Sequence, residues 1–176
     1  MVMNDDVSVA TGPVTPEVLG QLFDRHAAAL ELYARQWCDS PEDAVQEALI
    51  QLAAEPGMPR DVLAWLYRVV RNRALNAARS ARRRRHHETQ VGSAEVFTPS
   101  PGDAVDARVA AEALDELPGE EREVVVAHLW GGLTFQEIGH LTGTSDTTAH
   151  RRFVAALTAL RERLRLPCRK NEPTRS

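Results

Sequence analysis

Thr134-Phe135-Gln136-Glu137-Ile138-Gly139-His140-Leu141-Thr142-Gly143-Thr144-Ser145-Asp146-Thr147-Thr148-Ala149-His150-Arg151-Arg152-Phe153 is the stretch whose reading decides the fold of this chain. Thr134 and Glu137 have capping-box spacing: the Thr hydroxyl can accept an amide at the helix start while Glu137 reaches back. Ile138 and Leu141 are the apolar positions of the short helix that follows. Thr142-Gly143-Thr144 supplies a turn, with Gly143 free to adopt positive φ. Ser145 can cap a second helix, and Ala149, Phe153, Leu157, Leu160 and Leu164 give that helix one apolar face. Its other face carries Asp146, Thr147, His150, Arg151 and Val154, with Thr148 and Arg152 on the flanks. A short helix, a glycine turn and a basic second helix predict a helix-turn-helix, whose second helix lies in the major groove. The plainer reading is a helical hairpin with one wet face.

Working outward, Val124, Val125, Ala127, Leu129 and Trp130 predict a helix that stops at Gly131-Gly132. Before it, Val105, Val109, Ala113, Leu114 and Leu117 form another helical stripe, closed by Pro118-Gly119. Further back, Gly92, Ser93, Thr98, Pro99, Ser100, Pro101 and Gly102 offer little to bury and read as a linker.

The N-terminal half is helical as well. Leu19, Leu22, Phe23, His26, Leu30, Tyr33 and Trp37 recur at helical steps and predict one amphipathic helix. Ser40-Pro41-Glu42-Asp43 is a helix start, with Ser40 as cap, Pro41 in the first helical position and Asp43 where a capping-box acid stands. Val45, Ala48, Leu49 and Leu52 continue that helix. Glu55-Pro56-Gly57-Met58-Pro59-Arg60 must be a loop. Asp61 opens a third helix with Leu63, Leu66, Tyr67, Val70 and Ala74 on one side. The expected architecture is all-α: two small helical domains joined by a flexible linker, the C-terminal one a helix-turn-helix. The boundaries expected are a tail over 1–15, a first domain over 16–87, a linker over 88–103, a second domain over 104–166 and a tail over 167–176.

Charge is distributed in blocks beneath a net charge of −4. From Val62 to His87 there are eight arginines and no acid. Acids dominate from Glu95 to Glu123, and arginines return at Arg151, Arg152, Arg161, Arg163 and Arg165. Two basic faces around an acidic middle are the electrostatic footprint of nucleic-acid binding. A linker of this kind leaves those faces without a fixed mutual placement.

Other classes find less support. No run approaches the ~20 apolar residues of a membrane helix, and the N-terminus lacks a secretory pattern, so a cytoplasmic location is expected. Cys38 and Cys168 form no CxxC pair, and the six histidines form no ligand constellation. No P-loop, HExxH or GxSxG pattern is present. The reading expects no enzyme activity, no cofactor, no metal and no membrane insertion.

Two segments together resemble a known family. Leu117-Pro118, Glu121-Arg122-Glu123-Val124-Val125, Gly132-Leu133-Thr134-Phe135-Gln136-Glu137-Ile138, Ala156-Leu157 and Leu160-Arg161-Glu162-Arg163-Leu164 are similar to the promoter-reading C-terminal domain, region 4, of extracytoplasmic-function sigma factors. Asp43-Ala44-Val45-Gln46-Glu47-Ala48 resembles the family's helix that binds the β′ clamp of RNA polymerase. Trp65-Leu66-Tyr67-Arg68-Val69-Val70-Arg71-Asn72-Arg73 resembles its −10 segment in region 2. The chain departs from the pattern at Thr144, Ala149, His150 and Asn76, positions where an aliphatic residue, Val, Lys and Asp are usual.

The resemblance implies a subunit that does no catalysis itself. Asp43, Gln46 and Glu47 would dock on core polymerase, through its β′ clamp, with the β flap as a second contact. A capping or solvated role for Asp43 fits the sequence equally. Arg60, Trp65, Arg68, Arg71, Asn72, Arg79, Arg82 and Arg83 would hold the melted −10 strand, with Trp65 or Tyr67 either stacking a base or belonging to the core. Thr147, Thr148, His150, Arg151 and Arg152 would meet the −35 duplex of promoter DNA. An anti-sigma factor is a further candidate partner. The rival reading is a conventional helix-turn-helix regulator that does not bind core polymerase, which leaves the arginine-rich N-terminal helix unexplained.

Overall fold

A computed structural model describes residues 13–87 and 104–164, with side chains over 13–83 and 109–164. The described residues form seven helices and no strand: α1 (Pro16–Ala34), α2 (Pro41–Ala53), α3 (Val62–His87), α4 (Ala104–Asp115), α5 (Gly119–Leu129), α6 (Phe135–Thr142) and α7 (Asp146–Arg163). The expected linker over 88–103, most of the tail over 1–15 and the tail over 167–176 with Cys168 lie outside the described residues.

The helix starts are chemical. Thr15 accepts the Val18 amide ahead of α1, and Asp61 accepts the Ala64 amide at 3.0 Å ahead of α3. Each satisfies an amide that the first turn cannot pair internally. At α6 the full capping box forms: Glu137 takes the Thr134 amide at 2.6 Å while Thr134 takes the Glu137 amide at 3.3 Å. Gly143 ends α6 at φ 72 and Ser145 caps α7. Three local expectations need correction. Ser40 makes no side-chain cap, because its ψ of 69 departs from the extended cap geometry, and Asp43 closes no capping box there. Phe23 sits at the edge of the α1 stripe and is exposed. Trp37 follows the end of α1 in a turn, where its ring still packs edge-on to Tyr33.

α1, α2 and α3 pack around Leu30, Tyr33, Val45, Leu52, Leu66, Tyr67 and Val70, all essentially inaccessible. A smaller cluster of Leu117, Val125 and Ala156, with Leu114 and Leu160 against it, ties α4 and α5 to α7. The two halves are also packed on one another: α5 lies against α1, α6 lies against α3, and one apolar cluster runs from Tyr33 and Tyr67 into Val124, Ala127 and Ile138.

Candidate nucleic-acid interface

The recognition helix α7 owes its placement to its apolar face. Ala149 and Ala156 are fully buried, and Phe153 packs into a ring cluster with His128 and Phe135. That seating leaves Asp146, Thr147, His150, Arg151 and Val154 exposed on the opposite side. Gly139 makes the two helices of the motif meet closely: a Cβ there would lie 2.9 Å from the Thr144 carbonyl and 3.1 Å from the Asp146 amide. The sequence-predicted −35 residues divide. Arg151 is exposed and enters no ion pair among the described residues, and His150 is exposed with its ring perpendicular to that of Phe135, the centroids 5.0 Å apart. Thr148 is half-buried and its hydroxyl shares a 2.9 Å hydrogen bond with Ser145, part of the cap. Thr147 donates to Asp146 from its amide at 2.7 Å. Arg152 turns the other way and pairs with Glu120 of α5. It therefore braces α7 against α5 as well as carrying charge.

On α2, burial of Ala44, Val45, Ala48 and Leu52 turns Asp43, Gln46 and Glu47 outward together. Their spacing continues to Ile50, which is 69% exposed. Positions 43, 46, 47 and 50 share one helical face, so a large unburied aliphatic side chain stands at the end of the polar stripe. The same i, i+3, i+4, i+7 count was available in the sequence and would have found Ile50. Glu47 pairs with Arg73 of α3 at 3.1 Å, both partners half-exposed, and Arg73 also donates to the Gln51 amide oxygen.

α3 presents a graded basic face. Arg60 in the preceding loop and Arg68, Asn72, Arg79, Arg82 and Arg83 are exposed. Tyr67 is fully buried, which makes it a core residue, while Trp65 is half-buried against that core.

Arg71 differs from its neighbours. Its Nε donates to Glu123 Oε1 of α5 at 2.7 Å, and its guanidinium lies 5.8 Å from the Trp37 ring centroid. The same Glu123 oxygen accepts the Tyr33 hydroxyl at 2.7 Å. Burial, then the Glu123 charge, pushes the Tyr33 hydroxyl well above its ordinary range, so it stays a donor. Glu123 is 6% exposed, the one buried charged residue among those described. In the sequence it is one of the acids of the middle segment, and nothing in its spacing sets it apart from Glu120 and Glu121. Among the described residues no group of three or more His, Cys, Asp or Glu side chains stands together as a metal site, and no helix is long and apolar enough to cross a membrane.

An arginine-lined helix in one half and a helix-turn-helix in the other define a two-part DNA-binding protein of the sigma-70 kind. The family models agree: Sigma-70 region 2 matches residues 22–84 and Sigma-70 region 4 matches residues 113–162. ECF RNA polymerase sigma factor SigL of Mycobacterium tuberculosis is 33% identical over 150 residues, 80% of this chain and 85% of SigL. RNA polymerase sigma factor CarQ of Myxococcus xanthus is 30% identical over 157 residues, 81% of this chain and 87% of CarQ. In fold, the chain is similar to the sigma factor RpoE of Bartonella quintana, solved with the anti-sigma factor NepR, at a TM-score of 0.72 and 22% identity over 88% of this chain and 100% of RpoE. CnrH, solved with the cytosolic domain of CnrY, gives a TM-score of 0.56 at 22% identity over 88% of this chain and 92% of CnrH. This chain belongs to the extracytoplasmic-function family of RNA polymerase sigma factors. Its function is to direct promoter-specific transcription, and the reading as a conventional regulator is set aside.

Proposed function

We propose that the chain docks on core RNA polymerase through the exposed face of α2 and reads the promoter with α7 and α3. The observation that carries this is the alignment of Asp43, Gln46, Glu47 and Ile50 on one face of α2, all four exposed. Exposed acids and an amide around one aliphatic anchor suit a basic partner surface with an apolar pocket, such as a helical clamp. The β′ clamp is the site this reading assigns, with the β flap taking the C-terminal half. Polymerase does the chemistry, and the chain contributes binding.

On DNA, His150 and Arg151, with Thr147 near the start of α7, would face base edges of the −35 duplex, while Arg152 and Thr148 hold the helix in place. Arg60, Arg68, Asn72, Arg79, Arg82 and Arg83 would track phosphates of the melted −10 strand, Arg71 joining them when freed, with Trp65 as a stacking platform. The units doing this work would be 16–87 and 104–166, joined by 88–103, acting in the cytoplasm. RpoE and CnrH, whose fold this chain shares, were solved with NepR and with CnrY, which supports an anti-sigma protein as a further partner.

Charge reversal of Glu47 to Lys tests the docking face. Pull-down with core polymerase should weaken at least about tenfold, with helicity by circular dichroism unchanged, since like charges brought together at an interface cost several kcal/mol. Equal capture of wild type and Glu47→Lys, Ile50→Lys and Gln46→Glu variants removes α2 from the interface.

A further inference from the structure

We propose that the free chain holds itself closed through an internal latch, in which Glu123 of the C-terminal half occupies Arg71 on the −10-strand face of α3. This rests on the reading of α3 as that strand's binding face. A carboxylate paired with a guanidinium takes the place a phosphate oxygen would take, because both anions use the same donors in the same geometry. With Nε of Arg71 bound to Glu123 at 2.7 Å, Arg71 cannot give that donor to DNA. Closure and full strand capture therefore exclude one another at this residue.

The latch is built from both halves. Tyr33 of α1 and Arg71 of α3 converge on one oxygen of Glu123 from α5. The rings of Tyr33 and Tyr67 meet edge-on at 4.9 Å beside it. The Tyr67 ring then lies on the Gly131 backbone, so close that a Cβ at Gly131 would fall 2.6 Å from the ring. A larger residue would have to displace both the Tyr67 ring of the other half and the Ala127 carbonyl of its own.

The same contact is suited to opening. A buried ion pair recovers the hydration of both charges when it separates, so its net contribution is far smaller than its Coulomb attraction. Arg71 keeps a quarter of its side chain exposed and is already in reach of water. The Tyr67 hydroxyl is buried with no hydrogen-bond partner among the described residues, and opening would restore one. Meanwhile the α2 face and Arg151 of α7 stay exposed in the closed form. Polymerase can therefore engage a closed chain, and any partner that binds the halves better when apart shifts the population to the open form. The exposed Arg68 and Arg79 give the free chain only partial purchase on a single strand.

The test uses the full chain without polymerase. Small-angle X-ray scattering reads closure, and fluorescence anisotropy with a labelled oligothymidine strand reads single-strand affinity. Wild type should be compact and bind weakly. Glu123→Gln and Glu123→Lys should raise the radius of gyration and tighten strand binding, on the order of tenfold for loss of one hydrogen-bonded charge pair. Glu121→Gln, outside the latch, should change neither. Arg71→Glu combined with Glu123→Arg should restore compactness without restoring strand affinity, which separates the latch from any general loss of stability. Tyr33→Phe removes only a hydroxyl and should open the chain partially even where a Glu123 variant folds poorly. A wild-type radius of gyration equal to that of Glu123→Lys, or a strand affinity unchanged as that radius rises, overturns the latch. Run-off transcription with core polymerase stands apart: a wild type that supports none breaks the functional reading, whatever scattering finds.

Discussion

The two arginine-bearing helices, α3 and α7, use their charge differently. On α7 the internal ion pairs stay within the C-terminal half: Arg152 meets Glu120 and Arg163 meets Glu116. They fix the helix against α5 and the turn that follows α4 and leave Arg151 facing outward. On α3, Arg73 pairs within its own half with Glu47, but Arg71 crosses to Glu123 in the other. The proposed duplex-reading face is thus exposed in the packed chain, while the proposed single-strand face has one of its cations engaged. The two helices differ in which cations they leave exposed because of the acids placed opposite them.

The largest effect is expected from breaking the contact that α3 makes. Gly131→Ala places a Cβ 2.4 Å from the Ala127 carbonyl and 2.6 Å from the Tyr67 ring. Overpacking of this kind costs about 1–3 kcal/mol or more. Urea titration followed by circular dichroism should show a lower midpoint, with residues of α1 and α3 exchanging their amides faster. An unchanged midpoint together with unchanged exchange in α1 and α3 would mean that Gly131 is not packed this closely in solution.

A smaller effect, confined to DNA, is expected on the α7 side. Arg151→Ala should lose about 1–3 kcal/mol of discrimination at one base pair if the side chain reads a base. If it contacts phosphate, all sequences should weaken alike and the salt slope should fall by about 0.9. Gel-shift titration of holoenzyme at two salt concentrations distinguishes these. Unfolding stability should not move, since Arg151 braces nothing among the described residues. No change in either DNA measure would take α7 out of the groove.

The smallest effect sharpens the contrast between adjacent arginines. Arg152→Ala removes a partly exposed pair with Glu120, worth about 0.2–1 kcal/mol of stability. Its stability loss should shrink in high salt. Thermal melting at low and high salt checks this. A loss of promoter discrimination as large as that of Arg151→Ala, with no change in melting, would return Arg152 to the reading face.

Much of the local structure was legible because its causes are local. The capping box at Thr134 and Glu137, the left-handed turn at Gly143, the cap at Ser145 and the Asp61 start of α3 each involve groups within four residues. The failures were local too where geometry decided: Ser40 is an ordinary cap residue by type, yet its backbone turns the hydroxyl away. For the site, residue type announced the arginines and the threonines, and helical spacing put Asp43, Gln46 and Glu47 on one face. Nothing in sequence spacing separates Arg151 from Arg152, because their difference is Glu120, thirty-two residues away.

By itself the sequence determined the helices, their order, the helix-turn-helix and the membership in a family, since these rest on periodicity, capping chemistry and matched motifs. Tertiary structure alone decided which charges are spent inside the molecule. Glu123 reads like Glu120 and Glu121 along the chain, but only Glu123 meets Tyr33 at a sequence separation of 90 and Arg71 at 52. Burial is a property of what packs opposite a residue, and a carboxylate taken out of water persists only where donors from other elements converge on it. That convergence exists only once α1, α3 and α5 have come together.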